Sequence, residues 1–169
     1  MKNKGTQLKT ENSKPKTIPI VVPACADHIP RIVEKMRQAD RDECAAGGLS
    51  AFRALAASFE ISACAWTGLV NGEPVCMFGV TPLDAAAGTG SPWFMAAEGF
   101  EKYYVAFIRL SKRYLEQQME LFPHLVNYID ARNTSPVRWL KWLGFRFDSD
   151  PVAYGPLGAP FYRFELKRK

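Results

Sequence analysis

Acyl or proton transfer needs a group that accepts a proton, one that donates a proton, and backbone N–H groups that meet negative charge. Glu60, Glu73, Asp84 and Glu98 are candidate bases by their position in or beside strand-like runs, with nothing to rank them. Tyr103, Tyr104, Tyr128, Tyr154 and Tyr162 could donate, although tyrosines at such spacings equally serve as core or rim packing. Gly99 stands between Glu98 and Glu101 at the start of a long helical run, where acids suit a bare helix N-terminus but repel phosphate. Metal and disulfide chemistry is not expected. Cys25, Cys44, Cys64 and Cys76 form no CxxC pair, and His28 and His124 have no evident ligand partner. Cys64 and Cys76 fall in strand-like runs and read as small buried hydrophobes.

Charge locates a second kind of contact. The net charge is +5 over 169 residues. Residues 1–16 hold five lysines and one glutamate, giving +4, and the last three residues give +3, which leaves the 150 residues between them at −2. The basic character therefore belongs to two arms, suited to nucleic acid or an acidic protein face, or simply to solvation. A slightly acidic body argues against an independent nucleic-acid-binding module. No apolar run reaches 18 residues, so no membrane span is expected, and the Lys-rich start does not read as a secretion signal.

The elements that must position these groups follow from periodicity. Residues 1–17 read as a polar arm. "IPIVVP" (18–23) reads as an edge strand, and Asp27 can cap a helix running to about Ala39. A further helical piece follows, then a short helix capped by Ser50. "SACAWTGLV" and "EPVCMFGVTPL" form a hairpin across Asn71-Gly72. "SPWFMAA" (91–97) is a third strand, and a helix from about Phe100 to Leu121 keeps a 3.6-residue apolar spacing. "HLVNYIDA" is the next strand, followed by "RNTSPVRWLKWLGFRF". There Ser135 can cap a helix begun by Pro136, Val137, Leu140 and Leu143 share a face, and Gly144 stops the helix. Trp139 and Trp142 cannot both point where the leucines point, so one should project outward as a contact surface. "FRFDS" and "FYRFEL" close an order β-α-α-β-β-β-α-β-α-β-β.

That order, with Asn133 followed by a short helix and the Gly144-Phe145 pair, resembles the GNAT acyltransferase fold over about residues 18–166, with 124–147 the specific part. "NYIDARNTSPVRWLKWLGFRF" and "YGPLGAPFYRFEL" more narrowly resemble a group of small tailed-phage and prophage proteins with a GNAT-like fold, the internal virion protein A group. The resemblance implies an α+β fold, a mixed and mostly antiparallel central sheet flanked by helices. It implies one domain at 18–166 between a basic arm (1–17) and a basic tail (167–169). It also implies a coenzyme A site using Gly99, Asn133, Gly144 and Phe145, with pyrophosphate on the long helix and the thioester arm between two central strands.

The chain departs from the family at two points. The family's glycine-rich loop is reduced to Gly99, and Leu140 occupies the place of the acid Tyr. Catalytic residues are left unassigned. Two functions are compatible with this pattern. One is a virion-associated structural or accessory component with a degenerate acyl-CoA site and no cofactor. The other is an acetyl-CoA-dependent N-acyltransferase with a rewired pyrophosphate loop. The expected partners are phage structural proteins or DNA, through Lys2, Lys4, Lys9, Lys14 and Lys16, and a protein face through Trp139 or Trp142. The expected location is the virion or the host cytoplasm.

Overall fold

The computed structural model describes residues 19–168; the N-terminal arm and its lysines lie outside the described residues. The chain runs β1 (Ile20–Pro23), α1 (His28–Glu34), α2 (Gln38–Ala46), α3 (Ala51–Glu60), β2 (Cys64–Val70), β3 (Glu73–Asp84) and β4 (Thr89–Ala96). A 3₁₀ turn (Phe100–Tyr103) leads into α4 (Tyr104–Leu121), β5 (His124–Asp130), α5 (Thr134–Leu143), β6 (Arg146–Phe147), β7 (Val152–Tyr154) and β8 (Ala159–Lys167). The strands form one mixed sheet in the order β1-β2-β3-β4-β5-β8-β6, with β7 also on β8. Every pairing is antiparallel except β4 with β5.

Local chemistry accounts for the hairpin and the caps. Asn71 and Gly72 both adopt positive φ, 52° and 79°, so β2 and β3 meet in the tight turn whose twist matches paired strands. Ser50 Oγ accepts from Arg53 N at 3.3 Å and starts α3. Strand alternation then divides the core. Met77 packs with Ile29, Ile32, Met36 and Leu55 under α1 and α3. Val80 faces the other way, with Phe122, Leu125, Ile129, Val137, Phe145 and Phe164 under α4 and α5. At Gly68 a Cβ would sit 2.4 Å from the Phe107 ring, so α4 lies directly on the backbone of β2.

Tertiary bonds overrule several sequence-level boundaries. The helix expected from Asp27 to Ala39 stops at Glu34 because Met36 bridges Ala97, Arg37 N donates to Ala96 O (2.9 Å), and Glu98 N donates to Lys35 O (2.7 Å). The further helical piece expected after it is α2, a helix of its own from Gln38, and a third strand, β7, follows α5 where two strands were expected. The long helix begins at Tyr104, after a turn of 3₁₀ helix. Lys167 remains in β8 opposite His124, and Arg168 N donates to Pro123 O (2.7 Å), so the sheet enters the stretch read as a tail. Cys76 is fully buried and Cys64 half-buried, both as free thiols.

The loop from β7 to β8 reaches back to the end of α2. Gly155 has φ +67°, and a Cβ there would lie 1.7 Å from Ala46 O. Gly155→Ala is expected to cost at least ~1 kcal/mol, through both strain and collision. A thermal melt should show a lower midpoint; an unchanged midpoint would mean the loop does not rest on α2.

Candidate active site

β4 and β5 are paired only at Thr89–His124 and Gly90–Leu125, and then they part. The next β4 residue facing β5 is Pro92, which has no N–H to donate. The Asn127 carboxamide replaces the missing rung: Nδ2 donates to Pro92 O at 2.7 Å and Oδ1 accepts from Tyr128 N at 2.7 Å. Further along the same edge, Ala96 N donates to Asp40 Oδ2 (2.8 Å) and Ala96 O accepts from Arg37 N. By alternation, Phe94 is the residue between them whose N–H and C=O face the opening. The strands thus frame a wedge with main-chain donor and acceptor groups on its wall. The cavity there measures about 330 Å³, and Glu43, Phe94, Asn127, Asn133, Trp139 and Tyr154 are among its lining residues.

Helix α2 brings acids to this wedge. Buried Asp40 accepts from Arg37 Nε (3.0 Å) and Nη2 (2.7 Å) as well as from Ala96 N, which clips the helix to the end of β4. Burial pushes the Asp40 acid up, while the Arg37 hydrogen bonds pull it back. One turn on, Glu43 Oε1 accepts from Asn133 Nδ2 at 3.0 Å. Burial raises the Glu43 carboxyl to about 7, the nearby charges of Asp40 and Asp130 add to the rise, and the Asn133 bond opposes it. Asp130 shows the reverse behaviour: hydrogen bonds from Arg132, including Nε at 2.9 Å, hold its carboxyl below the usual carboxylate range. A carboxyl that exchanges its proton near neutrality inside a cleft has the property of a general base.

The predicted site residues divide in three ways. Asn133 lies at the cavity, but as the residue that caps α5 with its backbone alone. The helix begins at Thr134, two residues before the expected start at Pro136, so the cap is Asn133 and not Ser135, and the Asn133 side chain is free to hold Glu43. Gly144 ends α5 at φ +101°, a structural role, while Phe145 is buried against Phe164 and also lines the cavity. Gly99 has φ +80° and open space where a Cβ would be, at the start of the 3₁₀ turn. Around it Glu98 N is bonded to Lys35 O, Phe100 N to Ala97 O, Lys102 N to Gly99 O and Tyr104 N to Glu101 O. Leu140 packs against the core.

The tryptophans separate as the spacing requires. Trp142 is 52% exposed, with Lys112 over its ring, whereas Trp139 turns inward against Phe94, ring centroids 5.5 Å apart. None of Glu60, Glu73, Asp84 and Glu98 lines the cavity, and Glu73 pairs with Arg31 at the surface. Of the candidate tyrosines, Tyr128 and Tyr154 reach it, stacked at 5.4 Å, and Tyr114, which was not among them, lines it as well. Sequence reasoning missed Glu43, Asp40 and Asn127. The apolar spacing through 38–46 marks a helix, yet nothing local marks which face meets β5. Among the described residues no group of three or more His, Cys, Asp or Glu is arranged to hold a metal, and no helix is long and apolar enough to cross a membrane.

Sequence comparison supplies no relative: no family model and no curated protein matches the chain. Solved structures do match. Ard1 from Thermoplasma volcanium superposes with a TM-score of 0.69 at 12% identity, covering 89% of this chain and 98% of that one. A GCN5-related N-acetyltransferase from Kribbella flavida gives 0.65 at 18% identity, covering 88% and 97%. The fold is the GNAT fold. An N-acetyltransferase from Staphylococcus aureus gives 0.65 at 13% identity, covering 90% of this chain and 100% of its own. The GNAT-type parting of two central strands is thus realised here with Asn127 as the brace.

The raised Glu43 acid has a thermodynamic signature. In the unfolded chain it titrates near 4.5, and in the fold near 7, so between these values the folded state holds the extra proton. This contribution weakens stability as pH rises through that window and is fully felt above it. Glu43→Gln is expected to stabilise the protein at pH 8.5 by on the order of 1–3 kcal/mol and to change little at pH 4. Denaturant melts of both proteins at the two pH values check this; an equal effect at both would contradict the raised acid.

Proposed function

We propose that the protein is an N-acyltransferase that receives an acyl thioester in the β4–β5 wedge, with Glu43 as proton acceptor. The observation that carries this reading is the Glu43–Asn133 pair at the wedge, a carboxyl held near neutrality beside an open cavity. The thioester supplies an activated acyl carbon. An acceptor amine must lose a proton as its nitrogen bonds to that carbon and the C–S bond breaks. Glu43 takes the proton in its ionised form, and the thiolate is reprotonated from solvent or a cavity phenol such as Tyr154. The free edge of Phe94 suits the amides of an extended pantetheine arm.

The nucleotide end of coenzyme A fits less well. The N–H groups of Glu98, Phe100, Lys102 and Tyr104 already have partners, and the exposed Glu101 carboxylate stands beside them. We therefore propose a rewired pyrophosphate loop that contributes little to donor affinity, with Gly99 in a backbone role. A second reading rests on the same bonded N–H groups and on Leu140 in the core: a non-catalytic component of a tailed-phage virion. In that reading the lysines of residues 1–16 and the exposed Trp142 contact DNA or neighbouring virion proteins.

Thermal melting with millimolar acetyl-CoA or S-acetylpantetheine tests both proposals. Both thioesters are expected to raise the midpoint to a similar extent. A shift with acetyl-CoA alone would refute the weak nucleotide contact, and no shift with either would remove the enzyme and leave the virion reading. Once an acceptor amine is found, kcat/KM should rise with pH to a plateau above an apparent pKa near 7 and fall at least about a hundredfold in Glu43→Gln. A flat profile would exclude Glu43 as the base.

A further inference from the structure

Among the described residues, one side-chain nitrogen is fully buried and lacks a hydrogen-bond partner: Trp139 Nε1. Buried donors are otherwise satisfied in folded proteins, so an orphan calls for a partner that the chain itself does not supply. Its place is informative. Trp139 lines the wedge cavity, its ring stands 5.5 Å from Phe94 and 6.3 Å from Tyr104, and Phe94 carries the free main-chain edge of β4. The cavity lining is mixed: Phe94, Leu110 and Leu140 are apolar, and Ser111, Tyr114 and Gln118 are polar. The indole nitrogen has none of these as a hydrogen-bond partner, and a ligand carbonyl would satisfy it with a single bond.

We infer that the Trp139 indole N–H is a ligand-binding donor that donates its hydrogen bond to a carbonyl oxygen of the thioester arm that enters the wedge. This rests on the acyl-thioester reading of the cavity. It assigns to α5 a contact that neither Leu140 nor the bonded turn at Gly99 can make, and it explains why a tryptophan is turned inward while Trp142 takes the surface. The ring is wedged edge-on between Phe94 and Tyr104 (interplanar angles 71° and 66°), which orients the N–H without any polar partner of its own.

The test uses the full chain, Trp139→Phe, and S-acetylpantetheine as probe. Phenylalanine keeps an aromatic ring in the slot and removes the donor, together with part of the indole's volume. In ¹H–¹⁵N spectra of the wild type, the Trp139 indole signal, assigned by triple resonance, should move downfield on adding the thioester. The other three indoles should move less. Trp139→Phe should bind S-acetylpantetheine about tenfold more weakly. Where thioester shifts other wild-type resonances but leaves this indole still, or where the variant binds with unchanged affinity, the inference fails and the wedge reading survives. Where no resonance of the wild type moves, both fall together. Should the variant not fold, the wild-type indole signal alone decides. A loss of stability without loss of affinity would mean that the ring serves packing alone, and would also overturn it.

Discussion

Two parallel strands that pair at two positions and then separate are the constraint on which this molecule turns. A sheet opened in its interior exposes main-chain donors and acceptors on both edges, and each must be satisfied or turned to use. Pro92 deletes one donor outright. The Asn127 carboxamide bonds to both edges at the apex, and Asp40 with Arg37 closes the far end of β4. What stays open between these two braces is the edge at Phe94. The opening is therefore bounded at both ends by specific side chains, and its size follows from the distance between them.

The brace at the far end links the fold to the chemistry. The Asp40–Arg37 clip requires α2 to begin beside Ala96, and α2 then has to place Glu43 one turn further, over the Asn133 end of β5. The Gly155 contact with Ala46 holds the other end of the same helix. Glu43 is thus carried by a helix fixed at both ends, and its burial among Asp40 and Asp130 raises its acid to about 7. The cost to stability of this raised acid marks the site as one where local energy is given up for a poised group. The segment just before α2 also takes up one N–H near Gly99, since Glu98 N donates to Lys35 O, while Phe100 N, Lys102 N and Tyr104 N bond within the turn itself.

Much of the architecture was legible in the residues. The Asn71-Gly72 hairpin, the helical periodicity through Leu121 and the Gly144 stop are local codes, set by φ preferences and by side-chain spacing within one turn. The separation of Trp139 from Trp142 followed from helical geometry in the same way. The site was less legible. The acids that looked plausible, Glu60, Glu73, Asp84 and Glu98, sat in or beside strand-like runs, while the two that reach the cavity, Asp40 and Glu43, sit on a short polar helix whose sequence does not mark which face meets β5.

By itself, then, the order and periodicity of residues determined which segments are strands and helices and that they follow the GNAT succession, because these depend on contacts among neighbours in the chain. Tertiary structure alone decided that Glu34 ends α1, that Asn133 turns from its helix to Glu43, and that Trp139 keeps a buried N–H without a partner. Each of these joins groups on separate elements, up to ninety residues apart for Asn133 and Glu43. The free energy of such a contact depends on the burial and charge that the whole fold creates, and no local pattern encodes it.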